Sequence, residues 1–384
     1  MDFSRESLDR EFPSRLATIQ MNHAAVSPLP ARAAAALAEY ARELSTRGPL
    51  AYPGWSARTA ALRESAARLL GVTQELGGSS SIAIVPNTTF GLSLVAQGLD
   101  WRPGDVVVTT ESEFPANLTP WLDLARLGVD VRRIPTRDGA FTAEEVFAAC
   151  DARTRLVSLS LVAYHTGFVA PAAEVGAFCR TNGIVFGLDA IQAVGAIPVD
   201  VAALGPDYLS ADGHKWMLGP EGCGLFFTTP SLRARLRPPS GWLNLKRTNP
   251  AQYDVGDRPE YVEDATKFEI GAPPTPGVYA LHASIGLLLD AGSEVVGERI
   301  RAVLAVLEEG LPRFGWEPVL HGQAVRSGIL SARPPAGMDP RQAMRHLESN
   351  GVACSARAGF LRLSPHFGNE PEEAVRVLGL LARL

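Results

Sequence analysis

Apolar positions in the first part of the chain recur at two different spacings. Residues 31–44 and 56–70 carry alanine, leucine and arginine at helical spacing, and the breaker-rich stretch RGPLAYPGW separates them. We therefore predict two helices. The short apolar runs at residues 82–85 and 106–109 are bounded by turn residues and are rich in β-branched side chains, so we predict strands there.

The middle of the chain alternates strands with a helix. Strands are predicted at residues 156–161 and 184–188, and a helix between them begins at Pro171 and is closed by Gly183. A strand, helix and strand of this length form a right-handed crossover, which makes the two strands parallel. With a further strand at residues 223–228, the pattern predicts a parallel sheet flanked by helices.

The last part of the chain is predicted to form a smaller α/β domain. Residues 238–276 are irregular and rich in proline, and we interpret them as a junction between domains. The elements predicted beyond the junction are four helices and one strand, at residues 278–289, 294–311, 328–332 (the strand), 340–350 and from 371 onward.

Composition narrows the classes of partner. The 384 residues suit two domains, and the net charge of -5 comes from mixed charges without a basic block, so we expect neither a nucleic-acid nor a membrane partner. The four cysteines form no CxxC pair, which argues against a disulfide framework or a zinc ribbon. The amino terminus is charged, and no apolar run reaches the roughly 18 residues that span a bilayer. We expect a soluble, cytoplasmic protein.

A lysine in a glycine-bracketed turn is the most informative candidate residue. Lys215 follows His214 in the stretch SADGHKWMLGPEGCG, and the chain has two other lysines, Lys246 and Lys267. A cofactor with an aldehyde group needs a primary amine, because arginine does not form an imine. A solvated surface lysine is the alternative interpretation.

Other polar residues stand where strands end or helices begin. Asp189 comes directly after an apolar strand, where a carboxylate is costly without a partner, and Gln192 follows one helical step later. Thr88 and Thr89 stand at a predicted helix amino terminus, which suits a phosphate group, although helix capping explains the same residues. Phe114 follows another strand and is a candidate for stacking on a ring.

This set of side chains meets the needs of pyridoxal phosphate. The chain resembles the class V aminotransferase family of fold type I enzymes, which includes cysteine desulfurases, selenocysteine lyases, kynureninase and isopenicillin N epimerase. The motifs SADGHKWMLGPEGCG, GLDAIQAVG, ESEFPANLTPW and FEIGAPP carry the resemblance in the family's order. It implies an α/β fold with a mainly parallel seven-stranded sheet and helices on both faces. The implied large domain is 22–256, and 1–21 with 257–384 form the small domain.

The resemblance also implies roles for the residues around the cofactor. Lys215 would carry pyridoxal 5'-phosphate and then move the proton at the substrate α-carbon. Thr88, Thr89 and His214 would bind the phosphate, and Asp189 would pair with the pyridine nitrogen.

Further matches concern the ring and the substrate. Gln192 and Tyr164 would lie near the ring oxygen, and Phe114 occupies the position of the stacking residue. Arg362 matches the arginine that binds the substrate α-carboxylate, and Arg357 matches a second arginine. In addition, Asn22 and His23 would lie near the substrate.

Several residues depart from the family pattern. No cysteine follows Arg357, and Cys354 precedes it in a stretch that suits a core, which argues against a persulfide-forming desulfurase. Phe114 replaces a histidine that could protonate a leaving group. Ala272 replaces a hydroxyl that reaches the other subunit's phosphate, and Asp212 is expected to turn away from the phosphate.

The resulting prediction is a pyridoxal phosphate enzyme that binds an α-amino acid as an external aldimine and removes its α-proton, most simply a C–S lyase. An epimerase similar to isopenicillin N epimerase and a non-catalytic regulatory protein that binds the cofactor are the alternatives. The resemblance implies a homodimer in which Tyr52, Trp55 and the FEIGAPP loop serve the neighbouring subunit.

Overall fold

The computed structural model describes residues 2–246 and 258–384. The strands in this part of the chain are β1 (Ile19–Gln20), β2 (Ile82–Val85), β3 (Val106–Thr110), β4 (Asp130–Ile134), β5 (Thr154–Ser160), β6 (Val185–Asp189), β7 (Tyr208–Asp212), β8 (Gly224–Thr228), β9 (Glu317–Pro318), β10 (Leu330–Arg333), β11 (Val352–Ala353), β12 (Ser355–Arg357) and β13 (Phe360–Leu363).

The α-helices in the same residues are α1 (Arg5–Glu11), α2 (Ala31–Arg47), α3 (Tyr52–Leu69), α4 (Thr88–Gly98), α5 (Thr119–Leu122), α6 (Ala143–Ala149), α7 (Ala172–Thr181), α8 (Val201–Leu204), α9 (Pro230–Arg235), α10 (Thr275–Ala291), α11 (Ser293–Gly310), α12 (Pro340–Ser349) and α13 (Pro371–Leu381). None of them is long and apolar enough to cross a membrane.

A seven-stranded sheet forms the centre of the molecule. Its strand order is β2-β8-β7-β6-β5-β3-β4. The pairs among β3, β4, β5, β6 and β7 are parallel, and β8 runs antiparallel to both its neighbours, β2 and β7. The predicted α/β fold with a mainly parallel seven-stranded sheet is therefore confirmed.

Both faces of this sheet are buried because apolar residues fill successive strand positions. In β2, Ile82 and Ile84 belong to one core cluster, whereas Ala83 and Val85 belong to the cluster on the opposite face. Successive strand residues point to opposite faces, so a strand without polar positions requires helices on both sides. The carboxyl ends of the parallel strands remain as the edge where a ligand site can form.

Two strands of the central sheet were not predicted from the sequence. The edge strand β4 reads DVRRI and only its last residue is buried, so it lacks the apolar run that marked its neighbours. The strand β7 ends in Ser210–Asp212, residues that the sequence had placed in the turn around Lys215. The structure also begins α3 at Tyr52, so Tyr52 and Trp55 lie in its first turn and not in a loop.

The carboxyl-terminal region forms a second sheet with the order β12-β13-β10-β9, and α11 packs against α13. Strand β1 pairs in parallel with β11, so a segment near the amino terminus lies against the carboxyl-terminal region. The proposed domain boundary at residues 256–257 falls outside the described residues, and the division into two domains stays a prediction.

Candidate active site

Lys215 lies in a closed turn between β7 and β8. The Gly213 amide donates to the Cys223 carbonyl (3.0 Å), and the Gly219 amide donates to the Gly213 carbonyl (2.8 Å). A Cβ at Gly213 would lie 2.5 Å from the Cys223 carbonyl oxygen, so this crossing needs glycine. The Ser27 amide also donates to the His214 carbonyl (2.9 Å). The turn is held from two sides, and the backbone of Lys215 is fixed.

The amine of Lys215 lies among several predicted site residues. Its Nζ is 5.8 Å from the centre of the Phe114 ring. Burial lowers the pKa of Lys215 to about 8, the carboxylate of Asp189 opposes that change, and the guanidinium groups of Arg362 and Arg357 reinforce it. A larger fraction of the amine is therefore unprotonated near neutral pH, which is the form that attacks an aldehyde.

Asp189 is the last residue of β6 and is buried, with 3% of its surface exposed. Within the described residues its carboxylate accepts one hydrogen bond, from the Ile191 amide (3.1 Å). Burial raises the pKa of Asp189, and the net value is about 7; the Ile191 amide and Lys215 lower it, and the nearby carboxylate of Glu113 contributes to the increase. A buried carboxylate with a single donor suits a protonated ring nitrogen, so this residue fits the expected cofactor.

The amino terminus of α4 lies beside the Lys215 turn. Asn87 caps the helix by accepting from the Phe90 amide (2.9 Å), and the amides of Thr88 and Thr89 have no partner in the parts of the chain described. The Thr88 hydroxyl accepts from the Asp212 amide (2.9 Å). Two uncommitted amides at the positive end of a helix fit the phosphate group of the expected cofactor.

Asp212 faces His214. Its Oδ1 accepts from the Gly213 amide (2.7 Å), and its Oδ2 lies 2.9 Å from the His214 Nδ1. How either side chain meets a phosphate stays a prediction.

Arg362 joins the second sheet to the same site. It lies in β13 with 2% of its surface exposed, its Nε donates to the Ser355 hydroxyl (3.1 Å), and its Nη1 donates to the Tyr164 carbonyl (2.7 Å). Burial lowers the pKa of Arg362 to about 10, so it remains protonated at neutral pH. The Tyr164 ring contacts Phe114 edge to face at 5.2 Å. Arg362, Tyr164, Phe114 and Lys215 are thus linked by successive contacts.

Gln192 lies in a turn that follows β6. Its Nε2 donates to the Ala24 carbonyl (3.0 Å), and its Oε1 accepts from the Trp216 indole (2.8 Å). These bonds tie the amino-terminal segment to the Lys215 turn. A contact between Gln192 and the ring hydroxyl stays a prediction.

His23 is buried behind the Lys215 turn. Its amide donates to the Ser364 carbonyl (3.0 Å), and its ring lies 5.2 Å from that of His366 and 6.3 Å from that of Trp216. The Oδ1 of Asn22 is buried without a hydrogen-bond partner in the described residues. A substrate contact for either residue stays a prediction.

Glu113 is a site residue that the sequence reasoning missed. It is 9% exposed, and its carboxylate accepts hydrogen bonds from Ser160, Asn117 and Thr110. The available signal was an acid directly before Phe114 at the end of a strand, in the stretch ESEFPAN.

Comparison with known proteins identifies the family of the chain. The sequence model of Aminotransferase class-V matches residues 19–362. A probable cysteine desulfurase of Methanothermobacter thermautotrophicus is 28% identical over 97% of this chain and 96% of its own length. A structure of the cystine C-S lyase C-DES with its reaction product cysteine persulfide is 26% identical, with a TM-score of 0.88 and coverage of 97% of this chain and 99% of that chain. A lysine-to-alanine variant of C-DES, with glycine covalently linked to its PLP cofactor, is 25% identical over 97% of this chain and 98% of that chain, with a TM-score of 0.88. This chain belongs to the class-V aminotransferase family.

Proposed function

We propose that this chain is a pyridoxal phosphate-dependent lyase that removes the α-proton of an amino acid and breaks a carbon–sulfur bond. The observation that carries the proposal is the buried amine of Lys215, with its lowered pKa, beside Asp189 and Arg362. When bound, pyridoxal 5'-phosphate supplies an aldehyde for the lysine and a ring that withdraws electrons from the α-carbon.

Each side chain has a separate task in this proposal. Arg362 binds the substrate carboxylate, because a planar guanidinium can donate two parallel hydrogen bonds to it. Lys215 takes the α-proton, a role that its lowered pKa favours. Thr88, Thr89 and His214 hold the phosphate.

The cysteines favour release of sulfur over its transfer to the protein. All four lie within the described residues, and three of them, Cys179, Cys223 and Cys354, are buried. Burial raises the pKa of Cys354 to about 12 and raises the pKa of Cys150, which is half-buried. A thiol accepts sulfur as an accessible thiolate, so none of the four suits that task. The sulfur then leaves with the departing fragment, as in the related lyase whose reaction product is cysteine persulfide.

Phe114 limits the kinds of leaving group that the site can release. Its side chain is 46% exposed at the site and has no proton to donate. A leaving group that is already stable as an anion, such as a persulfide, needs no proton donor there. We infer that disulfide amino acids are better substrates than simple thioethers.

A second copy of the chain is proposed as the partner. Trp242 and Ile270 are exposed and adjacent, since the Trp242 amide donates to the Ile270 carbonyl (3.1 Å). The exposed Tyr52 lines a nearby cleft with Leu243. An exposed apolar patch of this kind marks an interface, and Ala272 lies exposed in the adjoining FEIGAPP loop. Light scattering of the purified protein measures the mass, and a monomer at micromolar concentration would contradict the dimer.

The test of the cofactor uses two lysine variants. The wild type with added pyridoxal phosphate should show a visible absorption band, which Lys215→Ala should lose. Lys246→Ala, a change at an exposed lysine on the surface, should keep it. A wild type that stays colourless would refute the proposal.

The test of the reaction uses a panel of substrates. Cystine, cysteine sulfinate and S-substituted cysteine sulfoxides, each as D and L forms, are scored for pyruvate or alanine, released sulfur and α-proton exchange. Loss of the sulfur-bearing group is expected from at least one L form. Proton exchange with inversion and without elimination would favour the epimerase.

A further inference from the structure

Glu113 is a buried carboxylate that the proposed reaction does not yet use. It stands just beyond β3, directly before Phe114, and each of its oxygens accepts one N–H group and one hydroxyl. Oε1 accepts from the Ser160 amide (3.0 Å) and the Thr110 hydroxyl (3.2 Å). Oε2 accepts from the Asn117 Nδ2 (2.9 Å) and the Ser160 hydroxyl. Thr110 and Asn117 flank the loop that carries Phe114, and Ser160 is the last residue of β5. The Glu113 carboxylate therefore connects both ends of this loop to the end of β5.

The amide of Asn117 is locked in this orientation. Its Oδ1 accepts from the Ser158 hydroxyl (2.7 Å) and the Trp121 indole (3.2 Å), and Ser158 in turn accepts from the Tyr208 hydroxyl (3.0 Å). Turning the amide over would break these bonds, so its Nδ2 must face Glu113. The network requires an acceptor at both oxygens of residue 113, which a carboxylate provides.

Glu113 lies close to Asp189 because Ser160 connects it to the neighbouring strand. Ser160, which donates to Glu113, pairs with Asp189 across β5 and β6. Neighbouring strands lie about 4.8 Å apart, so the two carboxylates are close. Repulsion between these carboxylates contributes to the raised pKa of Asp189. Burial raises the pKa of Glu113 itself, and its hydrogen-bond donors oppose that change.

We propose that Glu113 is a positioning residue that fixes the Phe114 loop and supplies a second negative charge beside Asp189, which raises the proton affinity of the bound cofactor. The inference rests on the proposed function, because it needs a cofactor attached at Lys215. A negative charge stabilises the protonated form of a nearby nitrogen. Removing that charge should therefore lower the pH at which the bound cofactor loses its proton.

Other charges at the site are the same in every variant of the test. The titratable groups that face Glu113 are Asp189 on β6 and Tyr208 on β7, and the charged groups that face Lys215 are Asp189, Asp212, Arg357 and Arg362. None of them is changed, so a shift between variants reports residue 113 and its donors.

Three variants distinguish the effect of the Glu113 charge from a general disturbance of the structure. Glu113→Gln removes the charge and places an amide N–H against an N–H donor, whichever way it turns. Thr110→Val removes one hydroxyl donor and leaves the carboxylate, which favours its protonation. Thr109→Val is the matched control on the same strand, because the buried Thr109 hydroxyl has no hydrogen-bond partner among the described residues.

The measurement is the pH midpoint of the visible band of the bound cofactor, together with the cofactor dissociation constant. Glu113→Gln should shift the midpoint to lower pH by roughly one unit, because it removes one charge that stabilises the protonated cofactor, and should weaken cofactor binding at least about fivefold. Thr110→Val should shift the midpoint in the same direction by a smaller amount, and Thr109→Val should leave the midpoint unchanged.

Two results would overturn the inference. One is a Glu113→Gln protein that titrates at the wild-type midpoint, and the other is equal behaviour of the two threonine variants. If Glu113→Gln does not fold, the threonine pair decides. A wild type without a visible band would instead refute the proposed function, so the two failures are distinct.

Discussion

Acid should destabilise this protein through buried histidines, and His366→Gln tests one of them. The His366 Nε2 lies 2.9 Å from the Trp216 carbonyl, and its Nδ1 accepts from the Phe367 amide (2.8 Å). These partners need a donor at Nε2 and an acceptor at Nδ1, which is the neutral ring. Protonation would place two N–H groups against each other at Nδ1. The ring of His23, 5.2 Å away, adds a second buried imidazole.

The size of the effect follows from the pKa values. Burial lowers the pKa of His366 from its ordinary 6.5 to about 3 and lowers that of His23 to about 4. Because the folded pKa lies below the unfolded one, the unfolded chain binds the proton first, and stability is lost as the pH falls below 6.5. Each histidine then costs about 1.4 kcal/mol per pH unit. Between pH 6.5 and 5, His366 should cost about 2 kcal/mol.

Asp189 acts in the opposite direction. Its folded pKa is raised to about 7, so the folded state keeps a proton that the unfolded chain releases, and falling pH favours folding through this group. The slope of the wild type alone therefore mixes several groups. The difference between the wild type and His366→Gln isolates one histidine, because glutamine does not titrate.

The assay is urea unfolding of both proteins at pH 8, 7, 6.5, 6, 5.5 and 5. The stability gap between wild type and variant should be constant from pH 8 to 7 and should narrow by about 2 kcal/mol between pH 6.5 and 5. A gap of the same size at pH 7 and pH 5 would refute the argument, since it would mean that His366 binds a proton equally in both states.

Two further predictions test the site and the core. Arg362→Lys should raise KM for the amino-acid substrate roughly tenfold to a hundredfold with little loss of cofactor colour, because the ammonium group cannot replace the planar fork; an unchanged KM would contradict the assigned role. Gly187→Ala should cost about 3 kcal/mol or more in urea unfolding, because its Cβ would overlap the Tyr208 ring. The control Gly286→Ala lies inside α10, where a Cβ meets nothing within 4 Å, and should stabilise by about 0.5–1 kcal/mol; equal effects of the two alanines would contradict the packing argument.

The predictable part of the fold is the part with local apolar patterns. The buried strands β2, β3, β5 and β6 appear in the sequence as apolar runs, because both faces of each are covered. Strand β4 lies at the sheet edge, where solvent contact permits arginines, and its sequence carries no such signal. Strand β7 ends in polar residues because its tip belongs to the site, so its last residues resembled a turn.

The sequence predicted which residues belong to the site, but it predicted few of the contacts that those residues make. Lys215 and Arg362 were found because scarce or charged residues stood in recognisable stretches, and the structure places them close enough for Arg362 to lower the pKa of Lys215. The hydrogen bonds of Gln192 and His23 join segments that are far apart in the chain, so no local pattern reveals them. Glu113 had a local signal, since it directly precedes Phe114, but its partner Ser160 is 47 residues away and the sequence does not show that contact.

Burial lowers the pKa of Lys215 and raises the pKa of Asp189. These opposite changes explain how one site can hold both groups before the cofactor binds. The amine has a pKa of about 8 and the carboxyl a pKa of about 7, so near neutral pH both groups are only partly charged. A cofactor with a protonated ring nitrogen would give Asp189 a cationic hydrogen-bond donor, whereas within the described residues its carboxylate accepts only from the Ile191 amide. The same event would convert Lys215 from an amine into a cofactor anchor. The burial of Asp189 is therefore a cost in the free protein and becomes a favourable contact in the complex.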